Sequence, residues 1–172
     1  LNTEWIKSYF IYRFANASIK PPKTTIKPKY INQKKINAME KEGTKQNPWK
    51  LKTPPLSSDY EMYKDEKDGK EVIVCVVGKT TLLYDYRCLK DLHTMLKNHG
   101  EWMELGSADE QKPAKDGTVE AWGRAENNPL GGWYGLKKGL RGRFGMYIPP
   151  LMEVLGLAEL THEPKANKMR AI

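Results

Sequence analysis

The chain has 172 residues, 39% of them apolar and 29% charged. That balance fits a globular protein and excludes a fully disordered chain, and no apolar run approaches the roughly 20 residues a bilayer demands, so no membrane partner is expected. The formal charge of +8 sits unevenly: residues 1–38 hold eight Lys/Arg against Glu4 alone, whereas the remainder holds 21 Lys/Arg against 20 Asp/Glu, so general electrostatics make no case for nucleic-acid binding by the rest.

Residues 1–38 lack glycine, and Ile19-Lys-Pro-Pro-Lys23 and Ile26-Lys-Pro-Lys29 interrupt any regular structure. The first methionine, in Met39-Glu-Lys-Glu-Gly43, reads as the opening of a protein. Residues 1–46 are therefore expected to be a flexible basic extension, with the part before Met39 either upstream sequence foreign to the native protein or an accessory arm. A nucleic-acid arm and a targeting segment, with Trp5, Tyr9, Phe10, Ile11 and Phe14 on a short amphipathic helix, are the functional alternatives. Residues 47–172 are expected to form a single globular domain.

Pro48, Pro54 and Pro55 read as an extended linker ending near Ser58, because proline fixes its own backbone and biases the residue before it away from helix. Tyr60–Lys64 alternates, Asp68-Gly69 supplies the positive-φ pair of a tight hairpin turn, and Val72–Val77 is apolar throughout, as in a strand covered on both faces. Gly78-Lys79 then turns the chain into Thr80–Tyr84, giving a three-stranded antiparallel meander. Ser58-Asp-Tyr-Glu61 also fits a helix capping box, which would make the first strand a helical turn instead.

From Asp85 the period becomes helical: Leu89, Leu92, Leu96, His99 and Met103 form one apolar stripe, ended or bent at Gly100. Glu101–Gln111 is ambiguous, Lys112–Gly117 is a loop by composition, and Thr118 caps a turn or two of helix over Thr118–Trp122. Six glycines fall between Gly131 and Gly145, each costing about 1 kcal/mol in a helix relative to alanine, so this stretch is either a shaped loop or a helix built for close backbone approach. Pro149-Pro150 marks a helix start, Gly156 its end, and Ala158–His162 with Lys168–Ile172 a closing hairpin. The expected fold class is α+β: the meander, an amphipathic helix, and a C-terminal half that resembles a winged helix ending in a β-hairpin.

Lys137, Lys138, Arg141 and Arg143, interleaved with glycines and with Trp133, Tyr134 and Phe144, are the best functional lead. Glycines bare the backbone N–H groups, cations neutralise phosphate, and rings stack on unpaired bases. The bland alternative assigns the aromatics to the core and the cations to an ordinary wet face. In a winged arrangement Lys165, Lys168 and Arg170 would lie on the wing and touch the flanking backbone.

Gly78-Lys79-Thr80 is similar to the tail of a phosphate-binding loop, but Ile73 stands where that loop needs glycine. An enzyme would have to recruit His93, His99, Glu101, Glu104, Asp109, Glu110 or His162, and no nucleophile–base or metal spacing links them. No catalytic residue, metal or cofactor is assigned. Cys75 and Cys88 lack zinc-site spacing and are expected as buried thiols, which together with the lack of a signal-peptide pattern suits the cytoplasm.

The stretch Gly132-Trp-Tyr-Gly-Leu-Lys-Lys-Gly-Leu-Arg-Gly-Arg-Phe-Gly-Met-Tyr-Ile-Pro-Pro-Leu-Met152 and the ending Asn167-Lys-Met-Arg-Ala-Ile172 resemble a family of short bacterial proteins of unknown function, from Asn47-Pro-Trp49 to Ile172. The resemblance implies no activity, cofactor or partner. DNA or RNA binding of low sequence selectivity is the leading expectation; a protein-interaction module without catalysis and an enzyme with an unrecognised site are its rivals.

Overall fold

Residues 42–109, 112–135 and 143–172 are described by the computed structural model of the protein. Trp49–Lys52 (β1) alternates, with Trp49 and Leu51 buried and Lys50 and Lys52 exposed, and it pairs antiparallel with Asp59–Lys67 (β2), setting Trp49 opposite Met62. This corrects the linker expected here. Two apolar residues at period two suffice for a strand once a partner lies alongside, and the prolines bound β1 without entering it.

β2 and Lys70–Val77 (β3) are joined through Asp68 and Gly69, at φ 52° and 73°, the positive pair that matches a hairpin turn to the strand twist. Ser58-Asp-Tyr-Glu61 thus leads into a strand, and the capping-box alternative falls away. Val72, Ile73, Val74 and Cys75 are all buried, as the unbroken apolar run implied. Thr80–Asp85 (β4) completes an antiparallel sheet of order β1-β2-β3-β4, one strand larger than the expected meander.

Cys88–His99 (α1) buries Cys88, Leu89, Leu92, His93 and Leu96. His99, expected in the same stripe, is exposed: Gly100 turns left-handed at φ 76° and donates its N–H to the Leu96 carbonyl at 3.0 Å, closing the helix before the stripe reaches another buried turn. Met103 belongs instead to the short strand Met103–Glu104 (β5). Thr118 caps Val119–Trp122 (α2) by accepting from the Ala121 N–H at 3.2 Å, as the sequence suggested.

Phe144–Val154 (α3) begins before the expected start at Pro149, and both prolines lie inside it. Phe144, Ile148, Leu151 and Met152 fall at helical spacing and are all fully buried. Proline removes two ladder bonds, a cost offset by packing, and the Tyr60 hydroxyl separately ties the helix to β2 by donating to the Tyr147 carbonyl at 2.8 Å. After α3, Ala158–Leu160 (β6) and Lys168–Ala171 (β7) pair antiparallel, and β5 adds to the other side of β7 to give the order β5-β7-β6. The architecture is therefore mixed α and β, with antiparallel sheets and short helices. No helix among the described residues is long and apolar enough to cross a membrane.

Candidate nucleic-acid interface

The basic glycine-rich stretch enters and leaves through two anchors. On the incoming side Tyr134 is fully buried; its carbonyl accepts from the Asp85 N–H at 2.8 Å, and Gly135 bridges to Tyr84. The Tyr134 hydroxyl donates to Asp91 at 2.9 Å, and the Arg87 Nε donates to the same carboxylate at 2.8 Å. Burial first, then that carboxylate, holds the phenol's pKa well above its ordinary value. The preceding loop is organised by the buried Asn128. Its Oδ1 accepts from the N–H groups of Leu130, Gly131 and Gly132 at 3.0, 3.0 and 3.2 Å, and its amide donates to the carbonyls of Trp122 and Gly132.

On the outgoing side Arg143 is left-handed at φ 62°, a conformation that costs a non-glycine residue about 1–2 kcal/mol. It is held there by its N–H on the Ala108 carbonyl at 3.0 Å and by an ion pair with Asp109. The next turn is capped from a distance. Glu120, 0% exposed, accepts from the Gly145 N–H at 2.7 Å and from the Arg124 Nε at 2.9 Å. Arg124 in turn donates to the carbonyls of Lys112 and Ala108 at 3.0 and 2.8 Å. Burial pushes the Glu120 carboxyl up, and the Gly145 N–H and the Arg124 guanidinium only partly pull it back. The start of α3 already holds an internal anion, so it offers no vacant phosphate cradle.

Gly145 permits this closeness: a Cβ there would run into the Leu105 carbonyl, which accepts the Glu120 N–H at 3.0 Å. Gly145→Ala is expected to cost about 1–3 kcal/mol, the usual range for overpacking, read as a lower urea midpoint at unchanged slope. A midpoint equal to the wild type would contradict the packing.

The described part of the lead is thus divided. Tyr134 and Trp133 pack with Phe144, at ring-centroid distances of 5.8 and 6.1 Å, so the Tyr134 ring faces protein and presents no face to a base. Arg143 already has a carboxylate. Lys137, Lys138 and Arg141 lie outside the described residues. On the hairpin Arg170 pairs with Glu159 and lies 4.8 Å from the centre of the Trp102 ring. Lys168 stands opposite Glu104 in the β5–β7 register, and Lys165 is exposed in the turn.

The residues an enzyme would need are scattered. Glu104 is paired with Lys115, Asp109 with Arg143 and His162 with Glu153, while the His93 Nε2 lies 3.4 Å from the Ile172 carbonyl. His99 and Glu101 are exposed, and Glu110 is outside the described residues. Among those described, no group of three or more His, Cys, Asp or Glu is placed to hold a metal. Sequence reasoning missed Glu120 and Asn128; for Glu120 the only signal was its i,i+4 spacing to Arg124.

No match was found among curated proteins or among solved structures. Residues 41–172 match the model of a family of unknown function, DUF6855, in agreement with the resemblance read from Gly132–Met152 and Asn167–Ile172, and the chain belongs to that family.

Proposed function

We propose that the domain binds nucleic acid with low sequence selectivity through the stretch 136–142 and the turn between β6 and β7. The composition of the stretch supports the reading: Lys137, Lys138 and Arg141 stand among glycines in a segment, 136–142, whose own sequence contains no acid. Two anchored ends deliver that stretch, and phosphate neutralisation is the chemistry such a composition supports.

Low selectivity follows from α3. In a winged helix the helix before the wing reads base edges, but here Phe144, Gly145 and Tyr147–Met152 are buried, which leaves α3 to the core. The winged resemblance therefore rests on the order helix, strand, basic turn and strand, with Lys165, Lys168 and Arg170 as the wing cations.

The test is fluorescence anisotropy of the full chain with single- and double-stranded DNA over about 50–200 mM salt. It is repeated for Lys137→Ala/Lys138→Ala/Arg141→Ala and for a chain with the lysines of residues 1–38 changed to alanine. Each lost phosphate contact lowers the salt slope by about one, so the triple variant is expected to lose about three from its slope. An unchanged slope in the triple variant would sink the proposal, and a slope abolished only by the other variant would assign binding to the extension. A salt-independent result turns attention to the protein-partner reading, for which the exposed Leu56 (52%) and Val154 (42%) are the observation in favour.

A further inference from the structure

We infer that His162 is a proton-operated clasp, which in its imidazolium form ties the β6–β7 turn to the end of α3 and to the loop between β1 and β2. The geometry requires two donors. Nδ1 lies 2.8 Å from the Pro54 carbonyl, and Nε2 lies 3.0 and 3.1 Å from the two oxygens of Glu153. Both partners only accept. A neutral imidazole carries one N–H and one lone pair, so whichever tautomer forms, one ring nitrogen is left with its lone pair against an oxygen. The imidazolium satisfies both contacts and places its charge against a carboxylate.

Other charges do not blur this assignment. From α3 the facing group is Glu153; the loop 53–58 contributes a carbonyl and has no ionisable side chain. Lys52 and Asp59, at the two ends of that loop, are paired with each other at 2.8 Å. The turn's own Glu163 and Lys165 are exposed. Burial alone lowers the ring's affinity for a proton, but the Pro54 carbonyl and Glu153 together outweigh it and raise the pKa.

Among the described residues no other hydrogen bond joins the loop 53–58 to the turn between β6 and β7. The loop 53–58 closes on itself, Leu56 N–H to Thr53 carbonyl at 2.7 Å, with Leu56 left-handed at φ 60°. The turn likewise closes on itself, through Asn167 on Glu163. His162 is the side chain that reaches from one to the other. With the folded-state pKa raised, its contribution is full below the ordinary value of about 6.5 and is lost as pH rises through the folded-state value. At high pH the neutral ring keeps a single N–H, so one of the two contacts, to the Pro54 carbonyl or to Glu153, is lost and the tie between the turn, the loop and the end of α3 loosens. This inference stands apart from the nucleic-acid reading.

The experiment is an NMR titration of the uniformly labelled full chain from about pH 5 to 9, a window centred on the ordinary histidine pKa. Histidine ring nitrogens and backbone amides are followed together, with Glu153→Gln as the second sample. The expected result is a His162 midpoint above the ordinary value, doubly protonated ring nitrogens below it, and the same midpoint in the amides of Thr53, Leu56, Ser57 and Ser58 and of Val154–Leu155. In Glu153→Gln the midpoint falls. A wild-type midpoint at or below the ordinary value, or a raised midpoint that none of those amides shares, overturns the inference; the wild-type titration decides even where Glu153→Gln is unstable.

Discussion

Phe144→Ala is expected to lose about 3–5 kcal/mol of stability, the range for emptying a fully enclosed aromatic site. Phe144 is 0% exposed and its ring centre lies 6.0 Å from Tyr84, 6.2 Å from Trp122, 6.1 Å from Trp133 and 5.8 Å from Tyr134. It is the hub on which the two anchors of the basic stretch meet, since Tyr134 enters on one side and the first turn of α3 leaves on the other. Each ring pair adds about 0.5–1.5 kcal/mol beyond area burial. One effect works against the loss. Among the described residues the buried Tyr84 hydroxyl and Trp133 indole N–H have no hydrogen-bond partner, and water entering the vacated space pairs with them, which places the expected value nearer 3 than 5. Urea unfolding with tryptophan fluorescence reads the result, and a loss below about 1 kcal/mol, less than the transfer of a single buried apolar side chain, would mean that the cluster does not hold the anchors together.

What the sequence disclosed was mostly what a local period can encode. The Asp68-Gly69 turn, the apolar run of β3 and the Leu89, Leu92, Leu96 stripe announce their elements because each repeats within one element. In sequence β1 looks like a linker because its flanking prolines are legible and its partner is not: Trp49 and Leu51 become core only when β2 supplies Met62 and Tyr60 opposite them. α3 was misplaced by a sound local rule, proline at the first helical turn, overridden by the burial of Phe144 and Ile148. Tyr134 and Trp133 admitted a stacking role and a core role equally in sequence, and packing assigns Tyr134 to the core. β5, two residues long, exists only because β7 lies beside it. Of the candidate site, the carboxylates that meet Arg143 and Arg170 are 34 and 11 positions away along the chain, beyond any periodicity.

Glu120→Ala is the second large expected effect, about 3 kcal/mol, and the one that best separates burial from charge. In the string Val119-Glu-Ala-Trp122 this carboxylate looks like any solvated one; its burial is imposed by Gly145, which donates to it across a separation of 25 residues. Removing one partner of a buried pair typically costs 3–5 kcal/mol because the other is left uncompensated. Arg124 retains its bonds to Ala108 and Lys112 and some exposure to water, which sets the lower end. Glu120→Gln keeps one acceptor for the Gly145 N–H but turns an NH2 toward the Arg124 guanidinium, so its cost reports the lost ion pair together with a donor-against-donor contact. Arg124→Ala placed on Glu120→Ala is expected to recover part of the loss, with a coupling of about 1–3 kcal/mol in a double-mutant cycle. If the two substitutions add without coupling, the guanidinium holds Ala108 and Lys112 by itself, and Glu120 acts only as a remote cap on α3.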